Sequence, residues 1–184
     1  MAAEQGVQLT LLAFVVKAVI AALKRDPWLN AAYDGAAEAV VLKAYYHVGV
    51  AVETRDGLLV PVVRDADRKS VLEVARDVQD LSTRARARTL RPDELRGSSF
   101  TLSNYGSIGG RFATPILNPP EVGLLGLGRA AERPVAADGG LRVEKVLPLS
   151  LTFDHRVVDG ATAQHFLSNV VRNLEDPDRF LVGG

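Results

Sequence analysis

The chain has 184 residues, 47% hydrophobic and 24% charged, which is the make-up of one ordinary globular domain and excludes a disordered chain. Lysine plus arginine balance aspartate plus glutamate at 22 each, so no net field favours nucleic acid or an anionic membrane surface. Cysteine is absent, which excludes disulfides, thiolate metal sites and a cysteine nucleophile and fits a reducing compartment.

The most apolar stretch, residues 9–23, is broken by Lys17 and falls short of the roughly 20 apolar residues that a membrane-spanning helix needs. Residues 1–8 carry Glu4 and no basic side chain, the wrong flank for a secretion signal, so a soluble, intracellular chain is expected. Thr10 caps a predicted helix running to about residue 24, where Asp26-Pro27 ends it. Leu11, Leu12, Phe14, Val15, Val16, Val19 and Ile20 make both faces of this helix apolar, so burial against a partner subunit is expected. Residues 39–43, 45–53 and 58–64 read as strands, with a hairpin turn at Arg55-Asp56-Gly57 and a bulge or edge position at Pro61. Ser70 and Glu73 form a capping box for a helix to about residue 88, on which Leu72, Ala75, Val78, Leu81 and Ala85 draw one apolar stripe.

Residues 99–104 alternate as a short strand, with Phe100 and Leu102 on one face and Thr101 and Ser103 on the other. A loop containing Gly106, Gly109 and Gly110 follows, and residues 123–128 and 143–153 read as further strands. Asp159 opens a last helix to about residue 174, stopped by Asp176-Pro177. Helices and strands in this order, without repeats or low-complexity tracts, give an α+β fold with a mixed sheet.

Among the three histidines, His155 has the most telling surroundings, Phe153-Asp154-His155-Arg156-Val157-Val158-Asp159-Gly160, at the end of a strand and just before a helix. A near-neutral imidazole there suits a general base, although the ordinary role of a lone strand-end histidine is structural. Asp159 before Gly-Ala-Thr-Ala is likewise an ordinary helix cap. His47, in an alternating strand, reads as structural or interfacial, and His165, within the last helix, as a surface or contact residue. No histidine pair has metal-ligand spacing, so no metal is expected. Gly106-Ser107-Ile108-Gly109-Gly110 lacks the features of a phosphate loop, and its glycines point to a tight turn and close backbone approach to a ligand or subunit. Arg84, Arg86, Arg88, Arg91 and Arg96, partly offset by Asp93 and Glu94 and without interleaved aromatics, read as a solvated face.

Residues 153–160 resemble the DHRVxDG signature of the acyltransferase component of 2-oxo acid dehydrogenase complexes. Residues 100–106, Phe-Thr-Leu-Ser-Asn-Tyr-Gly, look like that family's FTxSNxG strand and turn, and residues 57–67 look like its GLxxPVxRxAD hairpin. The three motifs stand in family order, and the similarity extends from about residue 9 to the end. HxxxDG alone is shared with chloramphenicol acetyltransferases and condensation domains, but those usually carry a second histidine where this chain has Asp154.

The resemblance implies a chloramphenicol-acetyltransferase-like α+β sandwich that forms homotrimers and builds a hollow core. It implies transfer of an acyl group between the dihydrolipoamide of a lipoyl domain and coenzyme A, beside decarboxylase and dihydrolipoamide dehydrogenase components, in the cytoplasm or, in a eukaryote, the mitochondrial matrix. By the same resemblance His155 is the general base from one chain, and Ser103 of its neighbour is the hydroxyl donor to the oxyanion. Asp159 orients the histidine loop, alongside its reading as a helix cap. Asn104 lines the thiol channel, and Arg68 and Lys69 are weaker candidates for the phosphates of coenzyme A. The motifs look most like branched-chain members, with pyruvate members close behind and 2-oxoglutarate members a worse fit. Residues 180–182, Phe-Leu-Val, resemble the apolar hook that joins trimers. The family's first helix and strand, and its lipoyl and subunit-binding domains, are expected to be missing from this chain. Two other readings stand beside the enzyme: a non-catalytic scaffold of the same fold, and a stand-alone acyltransferase for a small molecule.

Overall fold

Lys17 is the one charged side chain within the apolar stretch of the first helix, α1 (Leu11–Arg25), and it ties that helix to a distant loop. Its ammonium donates to the carbonyls of Ala66, Asp67 and Lys69 at 3.2, 3.2 and 2.6 Å. The partial burial this requires lowers the lysine's pKa. The computed structural model describes residues 6–137 and 139–178. Within them, α2 (Val71–Ala87) and α3 (Gly160–Glu175) pack against α1 and bury Val15, Val16, Val19, Ile20 and Leu23. The all-round apolar surface of α1 is therefore consumed inside the chain, where burial against a partner subunit was expected. Only its first turn stays open, with Leu11 exposed and Leu12 and Phe14 half-buried. Thr10 stands at the N-cap, but its side chain makes no cap bond.

The central sheet has the order β10–β7–β6–β3–β4, built from β3 (Val48–Thr54), β4 (Gly57–Leu59), β6 (Phe100–Asn104), β7 (Gly123–Leu127) and β10 (Leu149–Phe153), with β5 (Val62–Val63) also paired to β3. β3, β6 and β7 run parallel, and the others are antiparallel to their neighbours, which makes the expected mixed sheet. α2 packs on β3 and α3 on β10. Strand alternation turns Phe100 and Leu102 to the helices, and the Phe100 ring lies 5.5 Å from that of Phe166 on α3. Thr101 and Ser103 consequently face the other side.

Two strand expectations change in detail, and one hairpin is added. The run 58–64 divides into β4 and β5 because Pro61 has no N–H to donate, while its carbonyl accepts from Val50 at 2.9 Å. The run 143–153 is not one strand: it turns at Leu147-Pro148, and its first half joins a hairpin of β8 (Ala131–Ala137) and β9 (Gly140–Val146). A further hairpin, β1 (Ala31–Asp34) with β2 (Ala39–Leu42), stands apart and meets the start of β7 through a bridge between Ala32 and Glu121. α2 begins at the expected capping box, Glu73 N donating to Ser70 Oγ at 3.3 Å and Ser70 N to Glu73 Oε2 at 2.7 Å. The arginine cluster is an ion-pair face, exposed except at the part-buried Arg84 and Glu94: Arg84 meets Asp80 and Glu94 at 3.0 and 2.5 Å, Arg91 meets Asp93 at 3.1 Å, and Arg88 pairs with Asp56. The hook expected at residues 180–182 lies outside the described residues.

Candidate active site

His155 sits on a turn immediately after β10, with its side chain exposed. The amide of Asp154 donates to the Val122 carbonyl at 2.9 Å, and the Asp154 carbonyl accepts from Val157 and Val158 at 3.0 Å each. The Asp154 carboxylate accepts from the Arg156 amide at 3.0 Å and from its Nη2 at 2.6 Å, and these bonds hold its pKa below the usual carboxylate range. The Arg156 guanidinium lies 4.1 Å over the ring of Tyr33. The His155 ring itself is 5.6 Å from Phe153 and, among the described residues, bonds to nothing.

Asp159 takes the capping place read for it. It caps α3 by accepting from Thr162 N at 2.7 Å. That bond lowers its pKa first, and the nearby His155 adds to the effect. The carboxylate is therefore ionised within electrostatic reach of the imidazole.

Ser103 lies on β6 opposite Ala51 of β3 and Gly126 of β7, half-buried. Its hydroxyl has no hydrogen-bond partner among the described residues. Asn104, exposed at the strand end, lines a pocket of about 240 Å³ with Leu12, Gly106, Arg129 and Leu147. The loop after it packs closely through its glycines: a Cβ on Gly106 would stand 2.3 Å from the Gly128 carbonyl oxygen. Tyr105 packs over Gly126, where a Cβ would stand 2.6 Å from its ring, and its hydroxyl donates to Ser150 at 3.1 Å.

Register places these two groups at opposite ends of one sheet. Ser103 is level with Gly126 and Ser150, whereas Phe153 is level with Gly123. Three residues separate these rows, about 10 Å along the strands, and His155 lies beyond the nearer one. One chain does not bring its own His155 and Ser103 together.

Other candidates settle differently. His47 Nδ1 accepts from the Asp65 amide at 3.0 Å, and burial lowers its pKa, a structural role. Lys69 is paired with Asp77 at 2.6 Å beside the capping box that opens α2, whereas Arg68, the other candidate for phosphate, has no ion pair among the described residues. Sequence reading missed Glu121, only 4% exposed, whose Oε1 accepts from Ser98 at 2.5 Å and Asn118 at 2.9 Å. Its Oε2 and the neighbouring Thr101 hydroxyl are buried and not aligned with any partner. Burial raises the Glu121 pKa. A glutamate directly before the apolar run 122–127 was the available signal.

The sequence pattern of the family described as 2-oxoacid dehydrogenases acyltransferase (catalytic domain) matches residues 1–182. The chain belongs to that family. It is 49% identical over 181 residues to the dihydrolipoyllysine-residue acetyltransferase component of the pyruvate dehydrogenase complex of Bacillus subtilis (strain 168), covering 98% of this chain and 41% of that protein. It thus spans less than half the length of that relative. Among solved structures it resembles the dihydrolipoamide acetyltransferase of Azotobacter vinelandii, studied for the catalytic roles of a serine, a histidine and an asparagine, with a TM-score of 0.94, 42% identity and coverage of 98% of this chain and 74% of that one. The cubic core of the pyruvate dehydrogenase multienzyme complex matches with the same score and coverage at 41% identity. A chloramphenicol acetyltransferase, at 20% identity and a TM-score of 0.56 over 90% of this chain and 78% of its own, shares the fold. The expected fold class is thereby established.

Proposed function

We propose that the chain is the catalytic core of a dihydrolipoamide acetyltransferase, moving an acetyl group between a lipoyl domain and coenzyme A in a site shared by two copies of the chain. One observation carries this reading: His155 and Ser103 are both presented without protein partners, at opposite ends of one sheet, so each is half of a site that a neighbouring copy completes. Similarity to the pyruvate dehydrogenase components supports acetyl over the branched-chain groups that the motifs alone favoured. Similarity to the cubic core supports homotrimers assembled into a hollow particle, with decarboxylase and dihydrolipoamide dehydrogenase as further partners in the cytoplasm. The serine, histidine and asparagine studied in the Azotobacter enzyme have the same sequence separations as Ser103, His155 and Asp159, an aspartate standing here in place of the asparagine.

In this mechanism the His155 imidazole removes the proton from the coenzyme A thiol. The thiolate sulfur attacks the carbonyl carbon of the acetyl thioester on dihydrolipoamide, and the oxyanion that forms accepts from the hydroxyl of Ser103 in the partner subunit. Collapse breaks the bond to the lipoyl sulfur, which leaves as a thiolate and takes back the proton from the imidazolium. Thiol and imidazole differ by about two pKa units, so the first transfer is uphill by roughly 2.7 kcal/mol. The ionised Asp159 favours the imidazolium that forms, and a positioned hydroxyl contributes about 2.7–4 kcal/mol at the oxyanion. Asn104 lines the approach of the thiol arm.

Mixed assembly tests the shared site. His155→Ala and Ser103→Ala proteins are each expected to be nearly inert in transfer from acetyl-CoA to dihydrolipoamide. Co-refolded in equal amounts, they should regain about a quarter of wild-type activity, because random association reunites one intact His155 with one intact Ser103 at that frequency. Full activity of the His155→Ala protein alone, or no recovery on mixing, overturns the proposal.

A further inference from the structure

The turn that presents His155 is given its shape by one set of contacts and its place by another. Its shape comes from within: Asp154 Oδ1 accepts from the Arg156 amide and Nε, both at 3.0 Å, Oδ2 accepts from Nη2 at 2.6 Å, and the Asp154 carbonyl accepts from Val157 and Val158. Every one of these partners belongs to the turn itself, so they cannot decide where it points. Its far end is anchored by Val158, 1% exposed in the core, and nearer His155 two contacts tie it to the rest of the fold. One is the bond from Asp154 N to the Val122 carbonyl at the start of β7, and the other is the Arg156 guanidinium over the Tyr33 ring at 4.1 Å.

Both contacts trace back to the β1–β2 hairpin. Tyr33 lies on β1, and its neighbour Ala32 bridges to Glu121, the residue before Val122. The Arg156 side chain is 64% exposed, and an ion pair so open to water gives little fixation by itself. Its carboxylate partner, however, occupies the edge of the planar guanidinium and leaves a face free to stack on an aromatic ring.

We infer that Tyr33 is a positioning residue: through Arg156 its ring sets the direction in which the turn projects the His155 imidazole toward Ser103 of the partner subunit. The inference rests on the proposed roles of His155 and Ser103. Tyr33 acts through Arg156 rather than on a reacting group, so loosening it misaims the base without removing substrate contacts, and the loss falls on kcat rather than KM.

The test uses the full-length, assembled protein and steady-state transfer between acetyl-CoA and dihydrolipoamide. Tyr33→Phe keeps the ring and is expected to stay within about twofold of wild type, whereas Tyr33→Leu lowers kcat about tenfold at unchanged KM and melting temperature. Arg156→Lys keeps the charge but not the planar fork and repeats the loss, which keeps the test open if the leucine protein fails to assemble. Wild-type kcat in both Tyr33→Leu and Arg156→Lys overturns the inference. So does a loss that appears equally in Tyr33→Phe or that tracks a fall in melting temperature. A His155→Ala control separates the two layers: if it is active, the proposed function fails and the inference with it. If it is inert while Tyr33→Leu and Arg156→Lys are unaffected, the positioning role alone fails.

Discussion

At the end of the sheet where β10 delivers His155, polar and charged side chains hold the chain in place: Asp154 with Arg156, Asp159 on the first turn of α3, and Glu121 with Ser98 and Asn118. At the other end, where β6 delivers Ser103, close backbone contacts do that work, with Gly106 against Gly128 and the Tyr105 ring against Gly126. The difference fits the roles proposed for the two ends. A base that gains and loses charge needs nearby fixed charge, whereas a hydroxyl that donates one hydrogen bond needs only a rigid position and room around it. Ser103 is the sharper probe of the second arrangement. Ser103→Ala is expected to lower kcat by about 10²–10³ with KM little changed, since the hydroxyl acts on charge that exists only in the transition state. A change mainly in KM would reassign Ser103 to substrate binding.

The glycine-built end also predicts its own fragility. A Cβ on Gly106 would stand 2.3 Å from the Gly128 carbonyl oxygen and 2.6 Å from the Arg129 amide nitrogen, backbone atoms that have no flexible side chain to swing aside. Gly106→Ala should therefore cost about 1–3 kcal/mol in urea unfolding. Gly160→Ala is the internal comparison at the opposite end: nothing lies within 4 Å of its added Cβ at the start of α3. That variant should be neutral or up to about 1 kcal/mol more stable. Equal effects at the two glycines would erase the distinction between the ends.

The contrast also explains which parts of the molecule were legible in the sequence. Local signals carried their elements: Ser70 and Glu73 named the start of α2, Asp159 the start of α3, and the alternation in residues 100–104 the face that bears Ser103. Signals that depend on partners distant in sequence did not. The apolar circumference of α1 suggested another subunit because nothing local tells that α2 and α3 return to cover it. The alternating run 143–153 read as one strand because Val143 and Leu147 continue the period of Leu149 and Leu151 through Pro148. At the site, the DHRVxDG and FTxSNxG motifs marked the side chains proposed to react. Tyr33, under the Arg156 guanidinium, and Glu121, bridged to Ala32, sit in short segments with no periodicity to mark them.

Glu121 supplies the smallest effect and the most specific one. Desolvation raises the pKa of its carboxyl against the opposing bonds from Ser98 and Asn118, so the folded protein holds that proton to higher pH than the unfolded chain does. As pH climbs past the ordinary glutamate value, the unfolded chain ionises first, and the contribution of this group to stability falls until the folded carboxyl also ionises. Glu121→Gln cannot ionise, and its amide supplies a donor beside the Thr101 hydroxyl while its oxygen still accepts from Ser98 and Asn118. Melting curves from pH 5 to pH 9 should therefore diverge, with the glutamine variant matching wild type at the acid end and melting higher at the alkaline end. The opposite divergence, with the variant weaker as pH rises, would mean that the buried carboxyl is held ionised. The His155 end of the sheet would then carry a fixed negative charge at Glu121 in addition to those of Asp154 and Asp159.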